Sequence, residues 1–166
     1  MSPIVSILAL AAGAAALAPA DRAAIDTAVT RIFAPYHRSA SSPQATSSED
    51  YRSFSAETAA LVARWKRVTP KDEVDDLSDG DWFCLCQDWD EHAFRADIVT
   101  RSLLAPDKAE YRLSVTLDRD TRRDERMIFR RERLGWRLDD ILSSDTPGGL
   151  KQALRDTIAA DLKLRR

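Results

Sequence analysis

Tyr111-Arg112-Leu113-Ser114-Val115-Thr116-Leu117 alternates apolar and polar side chains without a break. Successive side chains of a β-strand point to opposite faces. The stretch therefore predicts a strand with Tyr111, Leu113, Val115 and Leu117 on one face and Arg112, Ser114 and Thr116 on the other. Upstream, Pro106-Asp107 marks a turn, and Phe94 to Leu104 sets Ala96, Ile98 and Val99 among Arg95, Asp97 and Arg101, as an earlier strand would. Downstream, a polar turn around Asp120 to Asp124 leads to Met127-Ile128-Phe129, flanked by arginines. Leu134-Gly135 then turns the chain into Trp136-Arg137-Leu138-Asp139-Asp140-Ile141. Four strands in succession with short turns predict an antiparallel meander.

The flanking segments have the period of helices. Asp21 stands as an N-cap before Ala23, Ala24, Ile25, Ala28, Val29, Ile32 and Phe33, an apolar stripe that predicts a helix from Asp21 to Ala34. Ser39 to Ser48 is a Ser-, Pro- and Thr-rich loop. A second helix starts near Ser48 or Ser55, carries Phe54, Leu61, Val62 and Trp65, and ends before Pro70. The charge run Lys71 to Asp76 follows as solvated surface. Thr146-Pro147 opens a last helix with Leu150, Leu154, Ile158 and Leu162 as its stripe. Helices followed by strands give an α+β class: N-terminal helices packed on a curved antiparallel sheet of about four strands, plus a C-terminal helix.

The chain has 166 residues, the size of one domain, with 44% hydrophobic and 31% charged residues. A net charge of −2 gives no global field to attract nucleic acid or an anionic membrane. Ile4 to Leu17 is apolar, alanine-rich and free of charge, and Ala18-Pro19-Ala20 supplies small residues before Asp21. This is signal-peptide grammar, too short for a comfortable bilayer span. It predicts cleavage after Ala20, a single mature domain over 21–166 without a transmembrane segment, and a periplasmic or secreted location.

Chemistry concentrates in Asp79-Gly80-Asp81-Trp82-Phe83-Cys84-Leu85-Cys86-Gln87-Asp88-Trp89-Asp90, which holds both cysteines and two of the four tryptophans. In a straight strand Cys84 and Cys86 would share a face with α-carbons about 6.5 Å apart, at the long edge of disulfide geometry. A disulfide through a local turn, two free thiols, a redox pair, or a metal site completed by His92 or Asp88 all stay open at this point. No complete metal-ligand set, calcium loop or phosphate loop is present, and Pro147-Gly148-Gly149 lacks a P-loop's lysine and spacing, so no metal or cofactor is predicted. Alternation puts Trp136, Leu138 and Asp140 on one face. A carboxylate beside an indole in an apolar cavity would have a raised pKa and could act as a general acid or base, with Asp88 or Tyr111 as partner; it could equally be a structural acceptor. Gln87-Asp88-Trp89-Asp90 is expected to be a structural tie. Asp88 would cap backbone donors of the bend, and Trp89 would pack against the helices. His37 and His92 fit no catalytic set and are expected at the surface. The arginines around Arg122 to Arg133, interrupted by Asp124, Glu125 and Glu132, predict a solvated strand face.

The element order, the Gly135-Trp136-Arg137-Leu138-Asp139-Asp140-Ile141 strand, and Asp81, Cys84, Cys86 and Gln87-Asp88-Trp89-Asp90 together resemble an exported bacterial family of unknown function within the nuclear transport factor 2-like superfamily. The resemblance covers roughly Ala23 to Leu154. It implies a cone-shaped sheet that wraps a helix and leaves a pocket. Members of that superfamily include isomerases and dehydratases as well as proteins that only bind partners. The expected function is an exported module that binds a small molecule or an envelope protein, without assigned catalysis. A pocket-carboxylate isomerase, lyase or hydrolase, and a periplasmic inhibitor or immunity-type protein, are the alternatives. The sequence sets no oligomeric state.

Overall fold

The computed structural model describes residues 16–37, 51–69, 77–78 and 80–164. Most of the Ile4 to Leu17 run, the Ser39 to Ser48 loop, the Lys71 to Asp76 charge run and Asp79 lie outside the described residues. The elements are α1 (Pro19–Phe33), a 3-10 turn (Ala34–His37), a second one (Tyr51–Ser53), α2 (Ala56–Val68), β1 (Arg95–Ala105), β2 (Lys108–Thr116), β3 (Arg122–Glu132), β4 (Gly135–Leu142) and α3 (Leu150–Leu164). The strands form one antiparallel sheet in the order β1-β2-β3-β4. The chain is α+β, with helices before and after the meander, as its periodicity predicts. No helix among the described residues is long and apolar enough to cross a membrane.

One sheet face makes the core. Ala109, Tyr111, Leu113 and Val115 of β2, Met127 and Phe129 of β3, and Trp136, Leu138 and Ile141 of β4 are all buried, as are Ile25, Val29, Ile32 and Phe33 of α1. Polar contacts fix α1 across this face. Arg101 of β1 grips the Asp26 carboxylate with two N–H groups at 2.9 and 3.1 Å, and the Trp136 indole N–H donates to Asp21 at 3.1 Å. Arg131 also pairs with Asp21.

Asp21 is therefore not the N-cap that its position suggested. The helix begins earlier, with Pro19 in its first turn and Ala18, which has no capping side chain, at the cap. Proline lacks the N–H that a first turn would leave unpaired anyway, so the helix extends back past Asp21 and frees that carboxylate to meet the sheet. Ser55 does cap α2, its hydroxyl accepting from the Thr58 N–H at 3.3 Å. Just before it, Phe54 pairs with Leu138 and the Ser55 N–H donates to the Leu138 carbonyl at 2.7 Å, which covers part of the β4 edge.

The last helix also starts elsewhere than expected. Thr146 and Pro147 belong to a turn in which the Thr146 N–H donates to the Ser143 hydroxyl at 3.0 Å, and α3 begins at Leu150 after Gly149, whose φ is +88°. Leu150, Leu154 and Ile158 are buried, while Leu162 is exposed.

Candidate functional site

The β4 strand does not alternate regularly. Ile128 pairs with Asp140 but Phe129 pairs with Leu138, so Asp139 is the extra residue of a β-bulge. The bulge resets the phase: Ile141 joins Trp136 and Leu138 in the core, and Asp140 turns to the other face. There its Oδ1 accepts from the backbone N–H groups of Ile141 at 2.9 Å and Lys151 at 3.0 Å. Burial raises the Asp140 pKa, and these two N–H groups oppose the rise. Asp140 thus turns away from the face of Trp136 and accepts from two backbone N–H groups. The bulged Asp139 is buried and accepts from the Ser55 hydroxyl at 2.7 Å and the Lys151 ammonium at 3.2 Å, joining α2 and α3 to the strand.

The other proposed partners lie apart from Asp140. Tyr111 sits on the inner face with its hydroxyl toward the Arg22 carbonyl at 3.4 Å. Asp88 is exposed and accepts only from the adjacent Trp89 N–H, at 2.9 Å, among its resolved bonds. Gln87 is exposed beside it. Trp89 packs edge-on to Tyr36 with ring centroids 5.1 Å apart and donates its indole N–H to the Tyr36 carbonyl at 2.9 Å, so it faces the α1 end as expected. The carboxylate that ties the bend into β1 is Asp90, not Asp88. Its Oδ1 accepts from the His92 N–H at 2.9 Å, its carbonyl accepts from Phe94 at 2.8 Å, and its own N–H reaches the Leu117 carbonyl at 2.9 Å. His37 and His92 are both exposed.

The segment ahead of this bend is a closed loop. Asp81 and Cys86 pair across it, with the Asp81 N–H donating to the Cys86 carbonyl at 2.9 Å. Cys84 and Cys86 form a disulfide with α-carbons 5.2 Å apart. Leu85 between them has φ +52°, the left-handed turn that shortens the strand spacing enough for a bridge. Phe83 stacks on Phe54 at 5.6 Å, and Trp82 lies 5.5 Å from Trp65 and donates to the Leu77 carbonyl at 2.6 Å. Aromatic packing against α2 and the Phe54 edge holds the loop in place.

Between this loop and the β4–α3 corner lies a cleft of about 230 Å³. Leu77, Trp82, Leu85, Ile141 and Leu150 give it apolar walls; Asp81, Asp145 and Thr146 give it polar groups. Asp145 is ion-paired with Arg123 at 3.0 Å. Asp81 accepts from the Phe83 N–H at 2.8 Å and is also the electrostatic neighbour of two groups in the core, Tyr36 and Glu125.

Glu125 is 1% exposed on the inner face, opposite Leu113, and among the described residues neither of its carboxylate oxygens has a hydrogen-bond partner. Burial, reinforced by the Asp81 charge and opposed by Arg123, holds its proton well above the ordinary carboxylate range. The Tyr36 hydroxyl is buried as well. Burial first, then the charges of Asp81 and Glu125, keep its proton on. Charge patterning had placed Glu125 on a solvated face. The signal that could have found it is phase, since it lies two and four residues before the core residues Met127 and Phe129.

Compared with protein-family models, curated proteins and solved structures, the chain matches none of them.

Proposed function

We propose that the protein is an exported small-ligand-binding module of the nuclear transport factor 2-like type, and that the cleft beside Asp81 is where the ligand sits. The observation that carries this is the combination of an apolar lining with one carboxylate that reaches both the cleft and the buried Tyr36 and Glu125. Apolar walls with a few convergent polar groups are what small-molecule sites are made of. Such a lining suits a compact, largely apolar ligand with a hydrogen-bond donor for Asp81. A helix lying across the core face of a four-stranded meander supports the superfamily assignment, and the Cys84–Cys86 bond fits an oxidising compartment. The uncharged Ile4 to Leu17 run supports export.

Native mass spectrometry of the protein taken from its own cell envelope tests this reading. The expected species begins at Asp21 and carries a small molecule that is lost when Leu150→Trp fills the cleft. A ligand-free chain beginning at Met1 in the cytoplasmic fraction would refute both parts.

A second reading has one observation in its favour: burial, reinforced by the Asp81 charge, raises the Glu125 pKa well above the ordinary carboxylate range, as the environment of a general acid often does. Turnover of a substrate that disappears in both Asp81→Asn and Glu125→Gln, with folding intact, would convert the module into an enzyme.

A further inference from the structure

The outer face of the sheet, away from the cleft, carries a groove of about 540 Å³. One cross-strand row forms its floor: Thr100 faces Arg112, Arg112 faces Arg126, and Arg126 faces Leu142. Arg122 and Asp124 of β3, and Ser143 and Ser144 after β4, also line it, together with the apolar Val99, Leu113 and Pro147 and the buried Glu125.

Three arginines on a strand face are ordinarily solvated charges. Here all three are held. The Glu110 carboxylate, whose side chain is only 7% exposed, accepts from Arg112 Nε at 3.1 Å and from Arg126 Nε and Nη2 at 2.9 and 2.5 Å. Arg122 Nε donates to the Ser114 hydroxyl. A guanidinium has five N–H donors, so these bonds fix the three side chains while using a minority of their donors. On the outer face three guanidinium charges stand against the two carboxylates of Glu110 and Asp124; Glu125, the other acid of the lining, is 1% exposed with its side chain on the inner face. Thr100 adds a hydroxyl to its wall, while the Ser144 hydroxyl donates to Asp145 and the Ser143 hydroxyl is bonded to that of Thr146.

We propose that this groove binds a small polyvalent oxyanion, that is, a phosphorylated or sulfated solute. Planar guanidinium forks match the tetrahedral oxygens of such groups by paired N–H bonds, and side chains already held by a buried carboxylate lose little freedom on binding. The volume lies within the range of ordinary ligand sites. The groove shares no lining residue with the cleft beside Asp81.

Titration calorimetry of the full chain with inorganic pyrophosphate at physiological salt tests the proposal. The expected result is saturable binding at one site, weakened about tenfold by Arg122→Gln and by Arg126→Lys, the effect of roughly one charge-assisted hydrogen bond. Asp124→Asn removes the opposing carboxylate and should tighten binding, a gain that misfolding cannot mimic. The proposal is overturned by no saturable binding, by equal weakening in the distant variant Arg155→Gln, or by binding to phosphatidylglycerol vesicles without affinity for pyrophosphate.

Discussion

Asp140 Oδ1 accepts from the backbone N–H of Lys151 at 3.0 Å, so a side chain from β4 caps the first turn of α3. Gly149 makes this approach possible: a Cβ there would lie 2.6 Å from Asp140 Oδ2, and its φ of +88° already disfavours any other residue. Asp140→Ala should cost ~1–2 kcal/mol, as loss of an N-terminal capping acceptor does, and Asp140→Asn less, because an oxygen stays in place. Gly149→Ala should exceed the Asn variant, since it adds left-handed strain to the collision. Urea melts of the three variants check the order.

Trp136 anchors the opposite face of the same strand. It is 6% exposed, its indole N–H reaches Asp21, and the Arg131 guanidinium lies 5.0 Å from its ring centroid. Trp136→Ala should cost ~3–5 kcal/mol, the range for removing a large buried aromatic. A loss below ~1 kcal/mol in urea melts would be a surface effect and would contradict this packing.

The strands were legible because a two-residue period is written locally: Tyr111, Leu113, Val115 and Leu117 point inward wherever the sheet is placed. The bulge at Asp139 was not, since it exists only in the pairing of β4 with β3, and one extra residue moved Asp140 to the other face. The disulfide was legible as one of several fates of a C-x-C pair; its formation depends on the left-handed Leu85, which nothing in the residue type demands. Glu125 and Asp81 are distant in sequence, and only the closed loop brings them together. The polar cluster therefore had no sequence signal as a cluster.

Asp90 and Asp88 should separate experimentally. Asp90 accepts from the His92 N–H and its backbone is bonded on both sides, whereas Asp88 is exposed and bonded to its neighbour alone among its resolved contacts. Asp90→Ala should lose ~1 kcal/mol, the net value of one hydrogen bond, and Asp88→Ala no more than ~0.5 kcal/mol, as surface changes do. Thermal melts giving the reverse order would return the tie to Asp88.

Glu125 sets a pH dependence whose sign follows from its burial. Its native pKa is raised, so below the ordinary carboxylate range the acid is protonated in both folded and unfolded chains and costs nothing. As pH rises, the unfolded chain releases the proton while the folded chain keeps it. Stability then falls by about 1.4 kcal/mol per pH unit until the native carboxyl also ionises. Glu125→Gln has nearly the same shape and no proton to release. It should match the parent below the ordinary carboxylate range and become progressively more stable than it as pH rises above that range. Urea melts of the two proteins at each pH isolate the effect, because every other titrating group is common to both. Parallel curves would mean that Glu125 is already ionised in the fold and paired with a cation, which would also remove the acid–base reading of Asp81 and Glu125.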